Sequence, residues 1–387
     1  MTSSATTRVW TDRRRYLWLC GLIVPTSPFL AYLLVTTLGP GIFWALGFLI
    51  MIAVLPAIDL LRGIDTASPP DEVFAQLDAD RYYRWCVYLY LPLQYVGLVL
   101  ACWCWTHAPM GTAERLALTA TIGVVGGVGI NAAHELGHKR TKHERILAKI
   151  ALAQSFYGHF YVEHNHGHHI RAATPEDPAS ARFGESYWHF LPRSVVGGFK
   201  SGWRHERGRL QRAGLRTFTW RNNILNSWAI TVVLWGSLVA IFGPSILPWL
   251  ILQAVGAVMI LECANYIEHY GLLRDKSRRG SYLRVTPQHS WNSDHVWSNL
   301  FLYQLQRHSD HHANPARRYQ TLRSAPDAPQ LPAGYAAMCL LATVPPLYRR
   351  VIDKRLMAYY DGDLDRVNLD PRLARKRERE MASASHG

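Results

Sequence analysis

The feature that most constrains this chain is the separation of its apolar residues from its charges. Six apolar runs alternate with segments that hold nearly all of the charge, whereas a soluble protein spreads charge along each amphipathic element. A helix of about 20 apolar residues crosses a bilayer and satisfies its own backbone polar groups there. The pattern therefore predicts an all-α integral membrane protein. The six transmembrane helices are expected at about 16–38, 42–61, 85–105, 116–133, 224–242 and 246–264.

The distribution of Lys and Arg predicts the topology. The chain has 42 Lys and Arg against 28 Asp and Glu, a formal net charge of +14. Three short connections contain no Lys or Arg, so the positive-inside rule places them outside and places the basic segments, with both termini, in the cytosol. This bias accounts for the charge without a nucleic-acid partner. The connections lie near Gly39 and at 106–113 and 243–248, and the basic segments are the N-terminus, 62–84, 134–222 and 265–387.

Four histidine clusters lie at the cytosolic ends of predicted helices or just beyond them. Imidazoles spaced i, i+4 share one helical face, and neutral imidazole is the commonest transition-metal ligand. A lone histidine is usually a surface residue, but several clusters at one membrane face indicate a metal site. The clusters are HELGHK at 134–139, EHNHGHH at 163–169, NYIEHYGL at 265–272 and LQRHSDHH at 305–312.

The number of histidines indicates two metals in a histidine-rich helical cap. One ion accepts at most about six ligands, and a catalytic site keeps one position open. Nearby carboxylates are expected to orient the imidazoles, although each is equally well explained as an ordinary solvated side chain. Imidazole also binds Zn, Cu and Ni, so the ligands alone do not select the metal. The candidate ligands are His134, His138, His164, His168, His169, His308, His311 and His312, with His269 as a ninth, and the carboxylates are Glu135, Glu163, Glu268, Asp310 and Asp177.

The four strings closely resemble the alkane monooxygenases, which belong to the membrane fatty acid desaturase and hydroxylase superfamily. The strings at 265–272 and 305–312 are more specific to alkane hydroxylases and to relatives such as xylene monooxygenase than short histidine boxes are. The resemblance extends from about Tyr16 to Asp370 and includes Asp59 and the PPDEV string at 69–73. His166 falls at a position that varies in the family, so it is not counted as a ligand.

The resemblance implies the chemistry. It implies a single domain over 1–387 in the bacterial inner membrane, with two iron ions held by the histidine boxes. Such an enzyme uses O2 and two electrons to hydroxylate the terminal methyl group of an n-alkane. The electrons come from a rubredoxin, which a rubredoxin reductase reduces. No C-x-x-C pair occurs among the six cysteines, so the rubredoxin is expected on a separate chain or domain.

Two other functions stay open at this point. The string HELGH at 134–138 matches the H-E-x-x-H signature of zinc proteases, with Glu135 as general base. A protease would need one further ligand and would leave at least five clustered histidines unused. Another hydroxylase or a fatty acid desaturase of the same superfamily is the nearer alternative, because the same oxidant can return a hydroxyl group or remove a second hydrogen.

A hydrocarbon dissolved in the bilayer needs an apolar path between the helices to reach the metals. Phe48, Met51 and Leu55 share a helical face in the second run and are candidates for lining that path, although lipid contact or helix packing is the more common role of such residues. Basic residues of the cytosolic face are candidates for docking an acidic electron carrier, with lipid headgroup contact as the alternative. These residues are Arg204, Arg207, Arg317 and Arg318.

Overall fold

The computed structural model describes residues 10–384, and over that range the chain is helical without named strands. Six helical units are long and apolar enough to cross a membrane, which confirms the prediction of six spans in a multi-pass membrane protein. Each unit extends slightly beyond the apolar run that predicted it. The units are α1 (Arg15–Leu38), α2 (Gly41–Leu61), α3 (Arg81–His107), α4 (Thr112–Gly137), α7 (Asn223–Phe242) and α8 (Pro244–His269).

Helices of the polar regions form a cap at the ends of α4 and α8 that carry histidines. The longest of them, α6 (Tyr187–Arg212), contains 26 residues and packs against α8. The second histidine cluster lies in a π-helical turn, His164–His168. The cap helices are α5 (Lys142–Leu152), α6 (Tyr187–Arg212), α9 (Val296–Phe301), α10 (His308–Ala313), α11 (Tyr335–Ala342), α12 (Pro345–Tyr359) and α13 (Pro371–Ala384).

Helix α4 lies at the centre of the bundle and packs closely against α8. Small residues allow this approach, since a Cβ atom at Gly127 would lie 2.9 Å from Cβ of Ile260. A Cβ atom at Gly123 would likewise lie 3.3 Å from the backbone oxygen of Gln253 in α8. The close packing brings the end of α4, with His134, beside the end of α8, with His269.

Asp59 near the end of α2 holds α9 in place. Its carboxylate accepts hydrogen bonds from the backbone N–H of Trp297 at 2.9 Å and of Ser298 at 3.1 Å, and from the Ser298 hydroxyl. These bonds satisfy N–H groups that the first turn of a helix leaves without intrahelical partners. The segment that leads to the last histidine cluster is thereby anchored to a membrane-spanning helix.

Candidate metal centre

The nine predicted histidines form two groups. Within each group the facing nitrogen atoms all lie within 4.8 Å of one another. Most of the nine side chains are buried, whereas His166 is exposed and belongs to neither group. Group 1 contains His134, His138, His164, His169 and His311, and group 2 contains His168, His269, His308 and His312.

The distances between ring nitrogens in group 1 suit a first-row transition metal. Nε2 of His311 lies 2.9 Å from Nε2 of His134 and 3.3 Å from that of His169. Nε2 of His169 lies 3.0 Å from that of His164 and 3.2 Å from that of His138. Two nitrogens held about 2.1 Å from one ion at right angles lie about 3.0 Å apart. The Nε2 atoms therefore point at a common centre at ligand spacing.

Group 2 has the same spacing. Nε2 of His312 lies 2.8 Å from Nε2 of His308 and 3.2 Å from that of His168. His269 completes the group from the end of α8, where its Nδ1 faces the backbone oxygen of His289 at 2.9 Å. A donor at Nδ1 leaves Nε2 as the lone-pair nitrogen, which is the form that binds a metal.

The π-helical turn divides the second cluster between the two groups. A π-helix brings residues i and i+5 together, and His164 and His169 accordingly share group 1 while His168 faces group 2. His164 and His168 are spaced i, i+4, yet they therefore serve different groups. A Cβ atom at Gly167 would collide with the Glu163 carboxylate, so a larger residue at this position would displace that side chain.

Helix α10 also contributes to both groups. His308 and His312 are one turn apart and enter group 2, whereas His311 projects into group 1. The i, i+4 spacing predicts a shared face for His308 and His312, and the structure agrees. Two centres on opposite sides of one short helix explain why three histidines occur within five positions.

Burial lowers the pKa of six of the imidazoles and so favours their neutral form. Removal from water lowers the pKa of His138, His164 and His311 well below the ordinary value, and neighbouring imidazoles lower it further. The pKa of His169, His308 and His312 is lowered in the same way for the same reasons. Neutral rings carry the free lone pair that ligation requires.

Two of the predicted carboxylates lie beside the imidazoles. Asp177 Oδ2 lies 2.8 Å from Nδ1 of His168 and accepts a hydrogen bond from the Ser180 hydroxyl at 2.6 Å. Burial alone would raise the pKa of Asp177, but His168 and the Ser180 bond lower it to about 2. Glu268 Oε2 lies 3.3 Å from Nε2 of His308, so this carboxylate faces the same centre as the ring nitrogen.

The other three carboxylates form ion pairs with Lys or Arg side chains. Glu135 lies 2.9 Å from Nζ of Lys139, and Glu163 lies 2.9 Å from the guanidinium of Arg171. Asp310 accepts two hydrogen bonds from Arg317, at 2.8 and 3.0 Å. These three carboxylates therefore tie the ligand-bearing segments to neighbouring side chains of the cap.

An apolar cavity of about 430 Å³ lies between α2, α4, α8 and α11. Phe48 and Met51 line it, and Asn131, one turn before His134, lies at its wall. Leu55 is buried but does not line the cavity. The reason is a π-helical turn at Ile50–Val54, which rotates the following residues away from the face that a regular helix would give them.

The predicted basic residues differ in exposure. Arg204 and Arg207 are exposed on α6, whereas Arg317 is partly buried in its ion pair with Asp310. Arg318 is only 8% exposed and bonds both carboxylate oxygens of Glu144, at 2.8 and 3.1 Å. The assignment of Arg318 to a docking surface therefore does not fit its buried position.

A second, smaller cleft contains residues that sequence reasoning missed. Tyr157, His159 and Glu262 line it together with the ligand candidates His164 and His168. The available signal was Glu262 itself, an ionisable residue inside an apolar run, which is expensive in a membrane helix and usually functional. Tyr157 and His159 carry no comparable pattern, because only the fold brings them to the site.

Comparison with known proteins agrees with this arrangement. The sequence model of the fatty acid desaturase family matches residues 114–341. Alkane 1-monooxygenase 1 of Alcanivorax borkumensis is 42% identical over 95% of this chain and 91% of its own length, and alkane 1-monooxygenase of Ectopseudomonas oleovorans is 42% identical over 98% and 94%. The hydroxylase component of a xylene/toluene monooxygenase from Pseudomonas putida is 28% identical over 65% and 64%. The chain therefore belongs to the alkane 1-monooxygenases of the fatty acid desaturase family.

Proposed function

We propose that this enzyme hydroxylates the terminal methyl group of n-alkanes to 1-alkanols, with O2 as oxidant and rubredoxin as electron donor. The observation that carries the proposal is the position of two imidazole groups beside an apolar cavity between membrane helices. A hydrocarbon partitions into the bilayer, so a cavity at that level receives it without passage through water. The relatives named above support alkane hydroxylation as the reaction.

The nine histidines are the proposed ligands of two iron ions. Group 1 would hold one iron with up to five imidazoles, and group 2 would hold the other with four imidazoles and the nearby Glu268 carboxylate. The irons, when bound, would supply the redox chemistry that activates O2. Asp177 fixes the tautomer of His168 by accepting from Nδ1, a common arrangement behind metal-bound histidines. The apolar cavity holds the alkane in place and keeps water away from the reacting carbon.

The geometry does not favour a zinc protease. In that class the glutamate of H-E-x-x-H acts as general base on metal-bound water. Here Glu135 is bonded to Lys139, and its Oε1 also accepts from the backbone N–H of Tyr319 at 3.3 Å. The carboxylate is thus held in an ion pair, and nine clustered imidazoles exceed what one zinc ion accepts.

The decisive experiment supplies the purified protein with a rubredoxin and its reductase, O2 and a series of n-alkanes. We expect two irons per chain by elemental analysis and 1-alkanols by gas chromatography. A matched variant, His143→Ala, alters an exposed histidine of α5 and should leave both results unchanged. A single zinc per chain would refute the proposal, and alkenes in place of alcohols would favour a desaturase.

We also propose that the chain forms one domain in the bacterial inner membrane with both termini in the cytosol. The three loops without Lys or Arg support this orientation, since they connect the ends of helices opposite the histidine groups. Fusion of a fluorescent protein to the C-terminus should give fluorescence, and fusion of a periplasmic phosphatase should be inactive. The reverse result would invert the topology.

A further inference from the structure

A series of aromatic rings in contact, called here the aromatic series, connects group 1 to the protein surface. The Phe160 ring stacks on His164 with centroids 4.8 Å apart, and Tyr157 stacks on Phe160 at 6.1 Å. From Tyr157 the contacts continue through His159 at 4.4 Å to Phe199 at 5.8 Å. All of these separations are within the range of direct ring contact.

The outer half of the aromatic series reaches the protein surface. Phe199 lies 6.4 Å from Trp203, and Trp203 lies 6.0 Å from Phe218, which is 79% exposed. Both Phe199 and Trp203 are on α6, one turn apart, so a regular helix sets their spacing. Tyr157 and Trp203 are the two readily oxidised side chains along this route, and His159 and Phe199 lie between them.

Tyr157 is also placed to lose a proton. Its hydroxyl donates to Oε1 of Glu262 at 2.7 Å, and both side chains are almost completely buried. Proton transfer requires a donor and an acceptor within about 2.6–3.2 Å, which this pair satisfies. A buried tyrosine cannot easily lose an electron unless its proton leaves with it, because a buried cation without a partner is costly.

The electron balance of the proposed reaction shows when a redox-active tyrosine would be needed. Reduction of O2 to two waters takes four electrons, and hydroxylation obtains two from rubredoxin and two from the C–H bond. When no alkane is bound, the two electrons of the C–H bond are not available. The oxidised metal centre must then take two electrons from another donor. Side chains around the site are then the nearest source.

We infer that Tyr157 and Glu262 form a redox-active pair that reduces the oxidised centre when the alkane is absent. The aromatic series then carries the oxidising equivalent from Tyr157 to the surface. This inference rests on the proposed function. One electron leaves Tyr157 towards His164, and the phenolic proton moves to Glu262. An electron from Trp203 then restores the tyrosine, the proton returns, and rubredoxin or another one-electron reductant reduces Trp203 near Phe218. Each such cycle delivers one electron to the centre, so two cycles supply the two electrons that the absent alkane would have given.

The test is a radical measurement on the iron-loaded enzyme. Reduced protein is mixed with O2 in the absence of alkane, frozen rapidly and examined by electron paramagnetic resonance. We expect a tyrosyl signal in the wild type that is lost in Tyr157→Phe and in Glu262→Gln. The matched control is Tyr90→Phe, which should keep the signal. Tyr90 is fully buried, but its hydroxyl donates to the backbone carbonyl of Val125 at 2.8 Å, and a carbonyl cannot accept its proton.

A second variant tests the outer half of the aromatic series. Trp203→Phe should lengthen the lifetime of the tyrosyl signal several-fold and speed inactivation during turnover without alkane. Trp220→Phe changes an exposed residue of the neighbouring loop and should do neither.

The outcomes separate the inference from the proposed function. An enzyme with two irons that hydroxylates alkanes but gives no tyrosyl signal, or gives the same signal in Tyr157→Phe, overturns the inference alone. Absence of iron and of hydroxylation in the wild type overturns both. Loss of iron from Tyr157→Phe and Glu262→Gln alike would assign the pair a structural role and would also overturn the inference.

Discussion

The carboxylate of Asp177 lies 2.8 Å from Nδ1 of His168, on the side of the ring opposite the nitrogen that faces group 2. The bond fixes both the tautomer and the orientation of the ring. Asp177 is itself held by the Ser180 hydroxyl, so its position does not depend on the metal. His168 is therefore oriented before a metal arrives.

Asp177→Asn should weaken metal binding at group 2. The amide can still contact the ring but lacks the negative charge, and loss of such partners typically lowers metal affinity by about 10–100-fold. The expected result is a release of one iron at chelator concentrations that leave the wild type loaded. Asp365→Asn changes an exposed carboxylate and is the control. Equal chelator sensitivity of Asp177→Asn and wild type would contradict the role.

The two groups should lose metal separately. His138→Ala removes an imidazole from group 1 alone, and His269→Ala removes one from group 2 alone. Each variant is expected to retain about one iron per chain and to lose hydroxylation, while helix content by circular dichroism stays close to that of wild type. Wild-type activity in either variant would refute the ligand assignment.

The ion pair between Glu144 and Arg318 should make stability depend on pH. Burial alone would raise the pKa of Glu144, but bonds from Arg318, Thr141 and Tyr88 lower it to about 2. A carboxyl group with a lowered pKa stabilises the fold above its unfolded pKa of about 4.5, and this stabilisation is lost as the pH falls towards 2.

Glu144→Gln should therefore lower the unfolding temperature at pH 7, because it leaves the buried Arg318 charge without its partner, at a cost of about 3 kcal/mol. The difference from wild type should shrink as the pH falls below about 4.5. Thermal unfolding in detergent at several pH values measures this. Glu380→Gln, in an exposed pair with Lys376, is the control and should show no pH-dependent difference.

Phe48→Ala should shift the chain-length preference towards longer alkanes. Phe48 lines the apolar cavity, so a smaller side chain extends the space available to the substrate. Product yields across a series of n-alkanes give the measurement. The control is Leu60→Ala, which changes a residue of α2 that is 76% exposed, and an identical shift in that variant would exclude a lining role for Phe48.

Much of the fold and of the site follows from sequence because apolar runs and histidine spacing are local signals. The six spans and the nine histidines were found in this way. The division of histidines between two groups was not, because it depends on the π-helical turn at His164–His168 and on how the two sides of α10 are placed by the fold. The same kind of turn at Ile50–Val54 moved Leu55 off the predicted face.

Tertiary contacts account for the remaining differences. Arg318 resembles its exposed neighbours in sequence, and only the fold shows that Glu144 holds it inside the protein. Tyr157 and Glu262 are 105 positions apart, so no local pattern could have joined them.

Helix α10 gives its histidines to both groups, and this makes the two metals thermodynamically dependent on each other. Binding the first ion restrains α10 and removes part of the entropy cost of binding the second. An empty group should therefore weaken iron binding at the other, so the one iron that His138→Ala or His269→Ala retains should dissociate at a lower chelator concentration than the iron of the wild type.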